Sequence, residues 1–192
     1  MKKLITIPNI LTFSRIALTV LFLKLFFAEG LYCQYLALVV FVAASLTDKY
    51  DGKFARSRGS STAFGRFLDP LADKILTFSV LVSLVIKGLV AAWIVGVILV
   101  REIVITGMRV RGLRSGRQMA TSKLAKWKTA IQLAVLFLIL VFLSLQKTFV
   151  RWGIYSPLLD DDFSHYFLNG ATMAMMVLSL ISAVPYLLGR HK

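Results

Sequence analysis

The stretch Ser45–Lys74, SLTDKYDGKFARSRGSSTAFGRFLDPLADK, decides how this 192-residue chain is read. It joins two long apolar runs, and it places charge where those runs end. Asp48 and Asp51 stand three residues apart, with Gly52 and Ala55 following at four and seven from Asp48. On a helix these positions form one stripe. Asp69 and Asp73 stand four apart with Gly65 one turn earlier, a second stripe on the next helix. Pro70 leaves two readings open: it sits in the first turn of that helix with Asp69 as cap, or it lies inside a longer helix.

Four carboxylates at the edge of hydrocarbon cannot all ionise unaided, because mutual repulsion and desolvation both disfavour the charged form. Two divalent cations would cancel their charge. An all-oxygen donor set without His or Cys favours Mg²⁺ or Mn²⁺, admits Ca²⁺ and disfavours Zn²⁺. The small residues Gly52 and Ala55 leave room beside such ions, and Arg56 reaches toward a phosphate, so the stretch suits a diphosphate. The competing reading makes the aspartates solvated loop residues paired with Lys49, Lys53, Arg58 and Arg66. Four at helical spacing, interleaved with small residues, favour the site.

Working outward, 58% of the residues are hydrophobic and 17% charged, with a mean hydropathy of +0.77. One soluble globule of this size cannot hide that much apolar surface. The sequence therefore predicts an all-α integral membrane protein: a single membrane domain with six transmembrane helices, over about 10–28, 35–58, 68–86, 89–108, 127–145 and 167–188. A short amphipathic amino-terminal segment with Lys2 and Lys3 precedes the first. That first run reads as a span and not a cleaved leader, since Arg15 and Lys24 interrupt it and no small-residue cleavage site follows. Residues 147–166 read as an outer loop with interfacial aromatics and the three aspartates Asp160, Asp161 and Asp162. The lone Cys33 excludes an internal disulfide.

The net charge of +14 lies on one side of these spans. All but four of the 23 Lys and Arg residues fall in the two termini, the second-to-third and the fourth-to-fifth connections, or the span ends that border them. Lys24, Lys87, Lys147 and Arg151 lie opposite, balanced by Glu29, Asp160, Asp161 and Asp162. The asymmetry puts both termini and the aspartate stretch in the cytoplasm. So hydrophobic a chain gives no reason to invoke a nucleic acid partner.

The pattern Asp48-x-x-Asp51-Gly52-x-x-Ala55-Arg56, eight residues, Gly65-x-x-x-Asp69-x-x-x-Asp73 resembles the signature of the CDP-alcohol phosphatidyltransferases at every position. Ile7-Pro8-Asn9-Ile10-Leu11-Thr12 with Arg15, Phe67–Lys74, Arg101-Glu102-Ile103 and Thr106-Gly107-x-Arg109 look like the phosphatidylglycerophosphate synthase branch of that family. Ala125 stands where that branch has glycine, and it adds a methyl group near the expected acceptor site. The resemblance implies that Asp48, Asp51, Asp69 and Asp73 bind two divalent metals and that Asp73 is also the general base. It implies that Gly52, Ala55 and Arg56 line the pocket for CDP-diacylglycerol, and that the protein is a homodimer of the bacterial inner membrane working on glycerol 3-phosphate and membrane lipid. Asn9 reads equally as a nucleotide contact or a helix cap.

Arg101 and Glu102 interrupt the fourth apolar run, and a guanidinium there needs a partner or a ligand. Arg101, Arg109, Lys126 and Lys128 are candidates to converge on an anionic acceptor, such as the phosphate of glycerol 3-phosphate. Serine, inositol or inositol phosphate as acceptor keeps the same chemistry; serine and inositol do not demand those cations. A divalent-cation channel requires polar residues along the pathway, whereas residues 35–46 and 75–86 are apolar with scattered hydroxyls.

Overall fold

The computed structural model describes residues 7–55, 63–114, 123–154, 157 and 160–184, with side chains at 14–47, 74–108, 111, 127–154, 157 and 160–184. Among the described residues the chain is all-helical and has no strand. The helices are α1 (Ile7–Phe27), α2 (Leu31–Ala55), α3 (Ala63–Ile86), α4 (Ala92–Arg114), α5 (Lys123–Arg151) and α6 (Asp161–Ile181). They fall into two compact units, Met1–Ser83 with Leu140–Thr148, and Leu84–Ile139 with Phe149–Lys192.

In the first unit α1 and α2 form an antiparallel hairpin, turned at Gly30, whose φ of +131° suits a residue without a Cβ. Phe22 and Phe26 stack at 5.4 Å, and Phe41 of α2 meets Phe22 at 6.3 Å. The small Ala37 and Ala44, both buried, occupy the same inner side of α2 as Phe41. Tyr35 and Thr148 share a hydroxyl–hydroxyl hydrogen bond of 2.8 Å.

In the second unit α4 packs on α6, with Ile105, Met108 and Ala183 in one cluster. Ser164, Leu168, Thr172, Met175 and Ser179 form the buried stripe of α6 at three- and four-residue spacing. Asn169 on α6 accepts the Ala91 backbone N–H at 2.9 Å just ahead of α4, and so fixes where that helix begins.

Two turns share one mechanism. The Gly88 N–H donates to the Val85 carbonyl and the Leu89 N–H to Leu84, while Gly153 and Ile154 repeat the pattern on Val150 and Phe149. These are paired Schellman closures, and the glycines take φ of +70° and +66°, the left-handed region such a closure requires.

The second apolar feature of the fold is its outer surface. Val39, Val100, Ile103 and Leu138 are each more than half exposed. Helix hydroxyls satisfy themselves four residues back: Thr19 on Arg15, Ser45 on Phe41, Ser83 on Ser79, Ser144 on Leu140. This is how a hydroxyl avoids needing water. The segment Trp127–Arg151 is long and apolar enough to cross a bilayer, with Trp127 and Trp152 exposed near its two ends as interfacial anchors are. Leu31–Thr47 and Lys74–Ile86 are shorter apolar helices.

Several local expectations change. α3 begins at Ala63, so Asp69 and Pro70 lie two turns inside it and the reading of Asp69 as its cap does not hold. The proline removes one internal hydrogen bond without ending the helix. Helix also replaces much of the expected loop at 147–166: α5 continues to Arg151, and α6 starts at Asp161. Asp160 is the cap, its carboxylate accepting the Asp161 N–H at 3.0 Å, and Asp161 and Asp162 occupy the first turn, where the helix dipole favours negative charge. The amino-terminal segment with Lys2 and Lys3 lies outside the described residues.

Candidate active site

The aspartates are placed by backbone register. Positions 48 and 51 lie within α2 and positions 69 and 73 within α3, each pair one turn apart on continuous helix. Each pair therefore shares one helical face, with Gly52 and Ala55 on that of α2. Paired oxygen donors at one-turn spacing, with small residues beside them, fit hard divalent cations. The side chains of Asp48, Asp51, Asp69 and Asp73 lie outside the described residues, as does Arg56 altogether. Asn9 lies inside α1, two residues past Ile7, and its side chain is likewise outside the described set.

The expected acceptor cations divide in the same way. Arg109 on α4 and Lys126 on α5 are described in backbone only. Arg101 and Lys128 are fully described, and the fold brings them together. Arg101 Nη1 donates to Glu102 Oε1 at 2.6 Å, and Lys128 Nζ donates to the same oxygen from α5. Ser179 Oγ of α6 approaches it at 3.4 Å. The other end of the guanidinium, Nη2, donates to Ser182 Oγ at 2.7 Å, and Ser182 donates in turn to the Ser179 carbonyl at 2.9 Å. Glu102 and Lys128 are buried, and the Arg101 side chain is 9% exposed. One turn beyond Lys128, Gln132 is buried on the same face of α5.

Beside this network an open apolar groove of about 720 Å³ runs between α4 and α6, with Trp93, Val97, Val100, Leu180 and Val184 in its walls alongside Arg101. The aliphatic stem of Arg101 borders that groove while its charged end turns to Glu102 and Ser182.

The sequence points to Arg101 and Lys128 as cations and names Glu102 beside Arg101 without tying it to Lys128. The signal for Glu102 was present, because a carboxylate in an apolar run needs a partner as much as a guanidinium does. Ser179, Ser182 and Gln132 gave none, since neutral polar residues occur throughout apolar helices.

The CDP-alcohol phosphatidyltransferase family pattern matches residues 5–184. A CDP-diacylglycerol–glycerol-3-phosphate 3-phosphatidyltransferase of Rickettsia typhi is 34% identical over 135 residues, 70% of this chain and 76% of its own. A probable phosphatidylglycerophosphate synthase of Mycobacterium tuberculosis is 38% identical over 89 residues, 45% of this chain and 43% of its own. A CMP-forming cardiolipin synthase of rice is 41% identical over 85 residues, 44% of this chain and 26% of its own. The chain spans less than half the length of the rice and mycobacterial relatives. It belongs to the CDP-alcohol phosphatidyltransferase family. That family is generally dependent on divalent cations, and the apolar α5 together with the membership associates the chain with a membrane.

Proposed function

We propose that the protein transfers the phosphatidyl group of CDP-diacylglycerol to sn-glycerol 3-phosphate, giving phosphatidylglycerophosphate and CMP as a step in phospholipid biosynthesis. The observation that carries this reading is the family match over 5–184, with the Rickettsia typhi relative aligned along 70% of the chain.

Asp48, Asp51, Asp69 and Asp73 would hold two divalent cations, Mg²⁺ or Mn²⁺. When bound, these neutralise the diphosphate and stabilise the charge that collects on the departing CMP. Asp73 accepts the proton of the acceptor hydroxyl as its oxygen bonds to the phosphorus bearing diacylglycerol, and the bond from that phosphorus to CMP breaks. Gly52, Ala55, Arg56 and Asn9 hold the cytidine diphosphate portion. Arg101, Arg109, Lys126 and Lys128 receive the phosphate of the acceptor, where a guanidinium offers paired donors and an ammonium a point charge. The diacylglycerol chains stay in the bilayer throughout, which accounts for phosphoryl-transfer residues on membrane helices.

The same reading makes the chain a single six-span domain of the bacterial inner membrane, a homodimer with both termini and the reacting groups on the cytoplasmic side. The rice relative favours a second reading, the same chemistry with cardiolipin as product; its match covers 44% of the chain against 70% for the Rickettsia typhi enzyme. Purified protein assayed for CMP release with CDP-diacylglycerol separates the two. Glycerol 3-phosphate as sole productive acceptor is the expected result. Turnover with phosphatidylglycerol, serine, inositol or inositol phosphate instead assigns another acceptor, and no CMP release with any of them overturns the reading.

A further inference from the structure

We infer that Arg15 is a positioning residue for Asp48, an inference that rests on the cation-binding role proposed above for that aspartate. The register of the α1–α2 hairpin carries it. Phe22 of α1 meets Phe41 of α2 with ring centres 6.3 Å apart, which fixes where the two antiparallel helices pass each other. One turn back on α1 and one turn on along α2, Thr19 and Ala44 are both buried; one turn the other way, so are Phe26 and Ala37. Both helices step by three or four residues between these levels, the spacing of a shared inner face. The next level, seven residues from the phenylalanines on either helix, is Arg15 on α1 and position 48 on α2.

Arg15 is only 7% exposed, and a buried guanidinium calls for an anionic partner. The inner face between the helices is otherwise uncharged at Thr19, Phe22, Phe26, Ala37, Phe41 and Ala44. Along α2 no residue before position 48 carries a charge, so the first carboxylate of that helix falls at the level of the buried arginine. An arginine fork matches a carboxylate with two parallel N–H donors and so fixes its plane as well as its charge. A carboxylate held in this way keeps its remaining lone pairs directed at a cation, the part that outer partners play for metal-binding acids.

Full-length protein, purified in detergent, tests this without turnover. In chelator, Arg15→Met should lower the thermal midpoint by several degrees, and by less than half as much in an Asp48→Asn background, because the pair is then already broken. An equal fall in both backgrounds overturns the inference. Mn²⁺ titration followed by electron paramagnetic resonance gives the second readout. Arg15→Met should weaken Mn²⁺ binding about tenfold, and Arg15→Lys, which keeps the charge without the fork, should recover part of the loss. Charge alone acts the other way, since removing a cation beside the site tightens Mn²⁺ binding. Unchanged or tighter binding by Arg15→Met therefore overturns the positioning role. Coupled midpoints in a wild-type protein that binds no Mn²⁺ support the pairing of Arg15 with Asp48 and remove only the proposed cations.

Discussion

Arg101 and Glu102 are neighbours in sequence, and their proximity follows from the chain; what they do together follows from Lys128 arriving on another helix. A lone Arg–Glu pair in an apolar run serves one helix, whereas a second cation on the same oxygen ties α5 to α4. Arg101 was legible because an ionised group within an apolar run is costly and calls for a partner. Gln132 was not, because a neutral amide in an apolar helix carries no such cost until its surroundings are known. For the proposed reaction the residue to test is Asp73. Asp73→Asn keeps the side-chain volume and removes the proton acceptor, so CMP release should fall by about 10²- to 10⁴-fold. The variant should elute with wild type on size exclusion, and activity within about threefold of wild type would remove Asp73 as the base.

Among the elements, the helix ends obey local rules that sequence expresses clearly. The Lys87-Gly88 pair marks the end of α3 because only glycine accepts the left-handed conformation that closes it at no cost. A Cβ at Gly88 or Gly153 would meet nothing within 4 Å, so substitution acts through φ alone. Gly88→Ala and Gly153→Ala should each cost about 1–2 kcal/mol, read as a lower thermal midpoint, and Gly96→Ala in the second turn of α4 should not. Asn169→Ala should cost about 1 kcal/mol by stripping the Ala91 N–H of its acceptor. The proline in α3 shows where such rules stop: Pro70 reads as punctuation, but the residues before it continue the same helix upstream to Ala63. The aspartate run at 160–162 likewise reads as loop until Asp160 is seen capping α6.

At the scale of the whole molecule, hydropathy and charge asymmetry make topology predictions that the helices do not by themselves decide. Reporter fusions placed after residue 192 and within 115–122 should be cytoplasmic, and one placed within 155–159 should lie on the opposite side. Fusions after 192 and within 155–159 found on the same side would break the six-span arrangement. Chelation supplies the second test at this scale. Removing divalent cations should abolish CMP release, with activity restored by Mg²⁺ or Mn²⁺ and poorly by Zn²⁺. Full activity in chelator would remove the aspartates as metal ligands.

The sequence by itself determined the helical class, the apolar runs, the one-turn spacing of the aspartates in α2 and α3, and the family. Each of these depends on composition or on short-range periodicity, which the chain carries without folding. Tertiary structure alone decided that Glu102, Arg101, Lys128, Ser179 and Ser182 converge, because α4, α5 and α6 meet there over separations of 26 to 81 residues. No local pattern encodes which faces of distant helices pack together, and the charge balance of a buried cluster exists only once they have.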